Sequence, residues 1–121
     1  MRFVLISLLL AVAASTQAQT VKVLVQSSPL AGFQYHEAGE LWPQLRVGDA
    51  LTLVREPENP HDRNAVRVEW RGRVLGYLPR AENRSVAAEM DNGTVVSGRI
   101  AQLRESQNPW LRLLIDVFVI L

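Results

Sequence analysis

Ala65-Val66-Arg67-Val68-Glu69-Trp70-Arg71-Gly72-Arg73-Val74-Leu75-Gly76-Tyr77-Leu78, residues 65–78, decides the fold. Over its first six residues apolar and charged side chains alternate. Val66, Val68 and Trp70 therefore share one face of a strand, and Arg67 and Glu69 the other. Arg71-Gly72 makes a tight turn, and residues 73–78 return as the second arm of a hairpin that Pro79 ends. Working outward, residues 50–55 read as a further strand with Leu51 and Leu53 on one face, and residues 21–25 as another. Ser27 to Pro29 is expected to break that first strand. Residues 94–103 and 111–121 add two more, connected through Asn108-Pro109, and the very apolar last one reads as a core strand. A helix is predicted over residues 79–90, with proline at its start, Glu82 in its first turn, and Val86, Ala87 and Met90 at helical spacing. Asp91-Asn92-Gly93 stops it. The expected fold is mainly β: a small, OB-like, partly open β-barrel of about six strands with one or two short helices.

The chain has 121 residues, enough for one domain, and its 48% apolar content is too high for a disordered chain. It contains no cysteine, which excludes a disulfide framework, a thiolate zinc site and a cysteine nucleophile. At the N-terminus, Arg2 precedes a stretch, residues 3–14, that is apolar except for Ser7. Thr16 and Ala18 follow as the small residues of a cleavage site. Residues 1–18 are thus expected to be a signal peptide, too short to span a bilayer comfortably, and residues 19–121 the mature domain. The protein is expected to be exported, periplasmic or secreted, with no membrane segment in its mature form. Loss of Arg2 takes Lys+Arg from 13 to 12, against 12 Asp+Glu, so the mature charge is near zero. Phosphate binding would have to come from a local patch rather than from the whole surface. Seven arginines fall within residues 55–84, and arginine suits bidentate contact with phosphate. Acids interleave with them, so on charge alone the preferred reading is that these arginines form the paired solvent face of strands.

Ahead of the opening hairpin lies Arg55-Glu56-Pro57-Glu58-Asn59-Pro60-His61-Asp62-Arg63-Asn64-Ala65, a polar, proline-containing loop. Asp62 and Asn64 can bond nearby backbone N–H groups as Asx turns, so part of the loop is bracing for the hairpin connection. Together with Leu75-Gly76-Tyr77-Leu78-Pro79-Arg80 and Ala31-Gly32-Phe33-Gln34-Tyr35 upstream, it closely resembles the signature of HIRAN domains over residues 22–96. The resemblance implies recognition of single-stranded DNA at a 3′ end. In that mode aromatic rings stack on the last bases, and an aspartate accepts a hydrogen bond from the terminal 3′-hydroxyl. On this chain Tyr35 matches the stacking tyrosine and Asp62 the hydroxyl-binding aspartate. His61 stands where one subgroup has a second tyrosine, His36 also replaces an aromatic, and Gln34 replaces a basic residue. Arg55, Arg63, Arg67 and Arg80 are the candidate phosphate ligands.

Two other classes compete. One is an exported scaffold or protein-interaction domain that keeps the fold without binding DNA. The other is a metal-dependent hydrolase acting on nucleic acid. His36, His61 and Asp62 are its candidate ligands for zinc, and their spacing fits no ligand pattern such as H-E-x-x-H. No nucleophile elbow or phosphate-cradling glycine loop is present either. No catalytic residue and no cofactor is therefore assigned, and any catalysis would come from a protein partner.

Overall fold

The computed structural model describes residues 20–121 and the isolated positions 2 and 11. The expected signal peptide, residues 1–18, lies outside the described residues apart from those two positions. Six strands form one antiparallel sheet: β1 (Lys22–Pro29), β2 (Ala50–Glu56), β3 (Ala65–Trp70), β4 (Arg73–Tyr77), β5 (Val95–Leu103) and β6 (Leu113–Ile120). Their order is β1-β6-β5-β2-β3-β4. Two short helices, α1 (Ala38–Leu41) and α2 (Arg84–Asp91), complete the fold with three 3₁₀ turns. The sheet curls until its two edges meet at one place. There Ala31 and Tyr77 exchange backbone hydrogen bonds of 2.8 and 3.0 Å, an isolated bridge and not a full ladder. The expected fold class holds: mainly β, OB-like, and not closed.

The hairpin explains the rest. Val66, Val68 and Trp70 are all buried, as the alternation requires, and the Trp70 indole N–H donates to Asp49 at 3.0 Å. At the turn both Arg71 (φ 48°) and Gly72 (φ 77°) are left-handed, the backbone of a type I′ turn, whose twist matches the flanking strands. Leu51, Leu53, Leu75, Ile100, Leu113, Ile115 and Val117 close the same core. Gly76 is required by space: a Cβ there would lie 2.3 Å from the Ala31 carbonyl oxygen, and the bridge between the sheet edges could not form.

Three boundaries differ from the sequence reading. β1 runs through Ser27 to Pro29, because β6 supplies partners for all three and the Ser27 hydroxyl donates to Asp116 at 2.7 Å. Pro29 is tolerated there because β1 is an edge strand and Pro29 its last residue. The helix begins at Arg84, not at Pro79. Residues 79–82 close a turn (Glu82 N–H to Pro79 C=O, 2.9 Å), and the first helical hydrogen bond runs from Ala87 N–H to Asn83 C=O. β6 starts at Leu113, because Asn108 caps a 3₁₀ turn at Pro109–Leu111 by accepting from Trp110 N–H. Among the described residues no helix is long and apolar enough to cross a membrane.

Candidate functional site

The bridge between the sheet edges places two distant stretches side by side. Residues 31–36 leave β1 and pack beside Tyr77, while the loop between β2 and β3 comes up on the other side. Between them opens a cleft of about 390 Å³ lined by His36, Asn59, His61, Asp62, Tyr77 and Arg80. The His36 and Tyr77 rings form a tilted pair with centroids 5.5 Å apart.

The loop is rigid for a local reason. Asn59 Oδ1 accepts from the backbone N–H of His61 (2.9 Å) and of Asp62 (3.2 Å), and its amide donates to Glu56 at 3.0 Å. The loop is braced by Asx turns as expected, but their centre is Asn59, where Asp62 and Asn64 were expected to provide them. The Asp62 carboxylate is in turn held from two sides. Oδ1 accepts from Asn64 N–H at 2.9 Å, and Oδ2 from the Asn83 amide at 2.7 Å. Asn83 is 1% exposed, and its own Oδ1 has no partner among the described residues. Each carboxylate oxygen has two lone-pair sites, so each keeps one for an incoming donor. Asp62 is thus aimed, and still able to accept.

Under the loop sits a second network. Glu56 accepts from the Tyr77 hydroxyl (3.0 Å) and pairs with Arg67, which also pairs with Glu69 at 3.0 Å. Burial pushes the Glu56 carboxyl up, but hydrogen bonds from Asn59, Arg67 and Tyr77 outweigh it and hold it below its ordinary value. Burial and the hydrogen bond to Glu56 push the Tyr77 hydroxyl up, so it stays a neutral donor at physiological pH.

The sequence candidates therefore separate. His61, Asp62 and Arg80 share the cleft with His36. Tyr35 does not line it: it stands next to His36 at 78% exposure, a ring already presented to solvent. Arg67 is engaged with two carboxylates and is not a free phosphate ligand. Arg55 is held by a bidentate pair with Asp91 (3.0 and 3.2 Å) and by the Ala65 carbonyl. It lines a different cleft, together with Arg63 and Arg84. His36, His61 and Asp62 do not assemble as a metal site: among the described residues no three His, Cys, Asp or Glu side chains gather to hold an ion. Sequence reasoning missed the roles of Glu56, Tyr77 and Asn83. Tyr77 lay inside a quoted motif, but Asn83 acts 21 positions from Asp62 and carries no local signal.

A curled six-stranded sheet with an aromatic- and histidine-lined cleft around a fixed carboxylate defines a small OB-like β-module. The chain belongs to the HIRAN domain family, whose profile matches residues 23–121. Its fold is similar to that of a Lactobacillus plantarum protein (TM-score 0.75, 28% identity, 84% of this chain and 98% of the other). The HIRAN domain of human HLTF shares the fold (TM-score 0.64, 20% identity, 84% of this chain and 78% of that one). A Fanconi-associated nuclease 1 homologue of Oryza sativa subsp. japonica is 33% identical over 72 residues, 56% of this chain but only 7% of that protein. Membership of this family supports a nucleic-acid-binding module.

Proposed function

We propose that the protein binds single-stranded DNA at a free 3′ end, in the cleft between the 31–36 turn and the Asn-Pro-His-Asp loop. The observation that carries this reading is the Asp62 carboxylate, fixed by Asn64 and Asn83 with one acceptor position left on each oxygen. A terminal 3′-hydroxyl donates to it. His36, His61 and the exposed ring of Tyr35 offer stacking surfaces for the last bases, and Arg80 meets the adjoining phosphate. Base–aromatic stacking contributes about 1–3 kcal/mol per base and tolerates any sequence. A 3′-phosphate brings negative charge to the carboxylate and no donor at neutral pH, so it is disfavoured.

The test is an anisotropy titration of oligonucleotides ending in a 3′-hydroxyl or a 3′-phosphate. The hydroxyl end binds more tightly, Asp62→Asn narrows the difference, and Tyr35→Ala weakens both ligands alike. Equal affinity for the two ends removes the end-recognition reading. Export of the mature chain, residues 19–121, belongs to the same proposal and makes DNA outside the cytoplasm the available ligand.

One observation favours a protein-binding reading. Val23, Leu24 and Val25 on the β1 edge are exposed, beside a groove also lined by Val96, Val119 and Leu121. Exposed sheet edges pair with other chains. A protein partner there would leave the cleft free and would be the natural supplier of any catalysis.

A further inference from the structure

We propose that the cleft of Arg63, Arg84 and Arg55 is a second anion subsite, taking a phosphodiester of the bound nucleic acid on the far side of the loop from the end cleft. The proposal rests on the nucleic-acid reading above and adds a place where the strand continues. The cleft is about 640 Å³ and is lined by Arg55, Pro57, Arg63, Asn64 and Arg84. Asp91 neutralises Arg55 and holds it as a wall. Arg63 and Arg84 are exposed, and among the described residues no acid pairs with either. The cleft thus carries two uncompensated guanidinium groups on a domain whose net charge is near zero. Planar, weakly hydrated and bidentate, they match phosphate oxygens rather than a neutral or cationic ligand.

Its boundaries give it direction. No acid stands in the first turn of α2, where Arg84 sits. Beyond Pro57 the next hollow is lined by Glu56, Glu58 and Arg67 and leaves a negative balance that turns phosphate away. On the other side, consecutive residues divide between the two clefts. His61 and Asp62 face the end cleft, while Arg63 and Asn64 face the arginine cleft. Asn83 and Arg84 divide the same way, since Asn83 holds Asp62 and Arg84 lines the arginine cleft. The loop and the start of α2 therefore form a narrow wall with a hydroxyl acceptor on one side and two phosphate ligands on the other. The phosphodiester has two sources, the upstream nucleotides of the same strand or the paired strand of a duplex.

The test uses the full chain and an Arg63→Gln/Arg84→Gln variant against three ligands with free 3′-hydroxyl ends: a trinucleotide, a dodecamer, and a duplex with a three-nucleotide 3′ overhang. The trinucleotide fills only the end cleft, and its affinity stays within about twofold of the parent's. Loss of about tenfold on the dodecamer identifies the same strand as the source; loss confined to the overhung duplex identifies the paired strand. The slope of log affinity against log salt becomes shallower by about 1.4 in the first case, two contacts at roughly 0.7 each for a single strand, and by about 1.8 in the second, at roughly 0.9 each for a duplex. Arg63→Lys/Arg84→Lys restores the slope. Unchanged affinity and slope for both longer ligands overturns the subsite while leaving the end reading intact, and so does equal weakening of the trinucleotide. A parent chain that binds none of the three overturns both.

Discussion

Glu56→Gln is the substitution that most directly probes the support of the cleft. Glu56 ends β2, and its carboxylate accepts from Asn59, Tyr77 and Arg67. Those partners anchor the loop that carries His61 and Asp62, and the wall that carries Tyr77. A glutamine has the same shape but only one acceptor oxygen, and its NH₂ faces groups that are themselves donors. A hydrogen bond to a charged group contributes about 1.5–3 kcal/mol, and at least one such bond is lost and one donor left facing another. The expected loss at pH 7 is about 2–3 kcal/mol, a large part of the roughly 5–15 kcal/mol that holds a domain folded. The pH dependence follows from the lowered carboxyl of Glu56. A carboxyl that sits lower in the folded state stabilises fully above its unfolded value, near the ordinary 4.5, and loses that stabilisation as pH falls through the folded value. The glutamine of the variant cannot titrate. The gap between parent and variant is therefore widest at pH 7 and shrinks towards pH 3. Urea unfolding followed by tryptophan fluorescence at the two pH values measures it. A gap that is the same at both, or no gap at pH 7, refutes the account of this network.

Two further predictions concern the fold and the N-terminus. Trp70→Ala should cost about 3–5 kcal/mol by emptying a large ring from the core, whereas Trp70→Phe should cost about 2 kcal/mol, from the lost indole hydrogen bond to the Asp49 carboxylate and the smaller ring; a Trp70→Ala variant melting at the parent's temperature means the ring is not buried. Secreted or periplasmic material should have an intact mass corresponding to residues 19–121, and a mass that retains Met1 to Ala18, or recovery from the cytoplasm only, removes the export proposal.

The sheet was legible because its information is local. Alternation in β3, a glycine turn and a proline stop are decided by neighbours, and the structure buries Val66, Val68 and Trp70 as that alternation demands. The strand interrupted at Ser27 in the sequence reading is not interrupted, because what continues it is β6, about 90 positions away. The helix start failed for a related reason. Pro79 and Glu82 are good first-turn residues, but Asn83 is drawn to Asp62, and its backbone carbonyl takes the first helical bond. In the candidate site, the Asn-Pro-His-Asp motif marked the loop whose Asp62 carboxylate the structure holds through Asn64 and Asn83. Which arginines were already paired could not be read, since Arg55 meets Asp91 and Arg67 meets Glu56 only through sheet pairing and helix packing.

That sorting of arginines also bears on how a neutral domain could receive a polyanion, as the proposed function requires. Net charge counts every group equally, whereas a strand of nucleic acid meets only the ones left unpaired on one face. Here the acids are not spread evenly against the bases. Glu56 and Glu69 both fall on Arg67, Glu37 and Glu40 both on Arg73, Asp91 on Arg55 and Asp116 on Arg99. Internal pairing therefore doubles acids onto some arginines and leaves others without any among the described residues, including Arg46, Arg71, Arg104 and Arg112, and the three beside the loop, Arg63, Arg80 and Arg84. These three flank the loop that presents Asp62, Arg80 in the end cleft and the other two across the wall from it. A total near zero is then compatible with a local positive face. Under the proposed end reading it also predicts few phosphate contacts, a shallow salt dependence, and binding in which the fit of the strand end to the cleft matters more than long-range attraction.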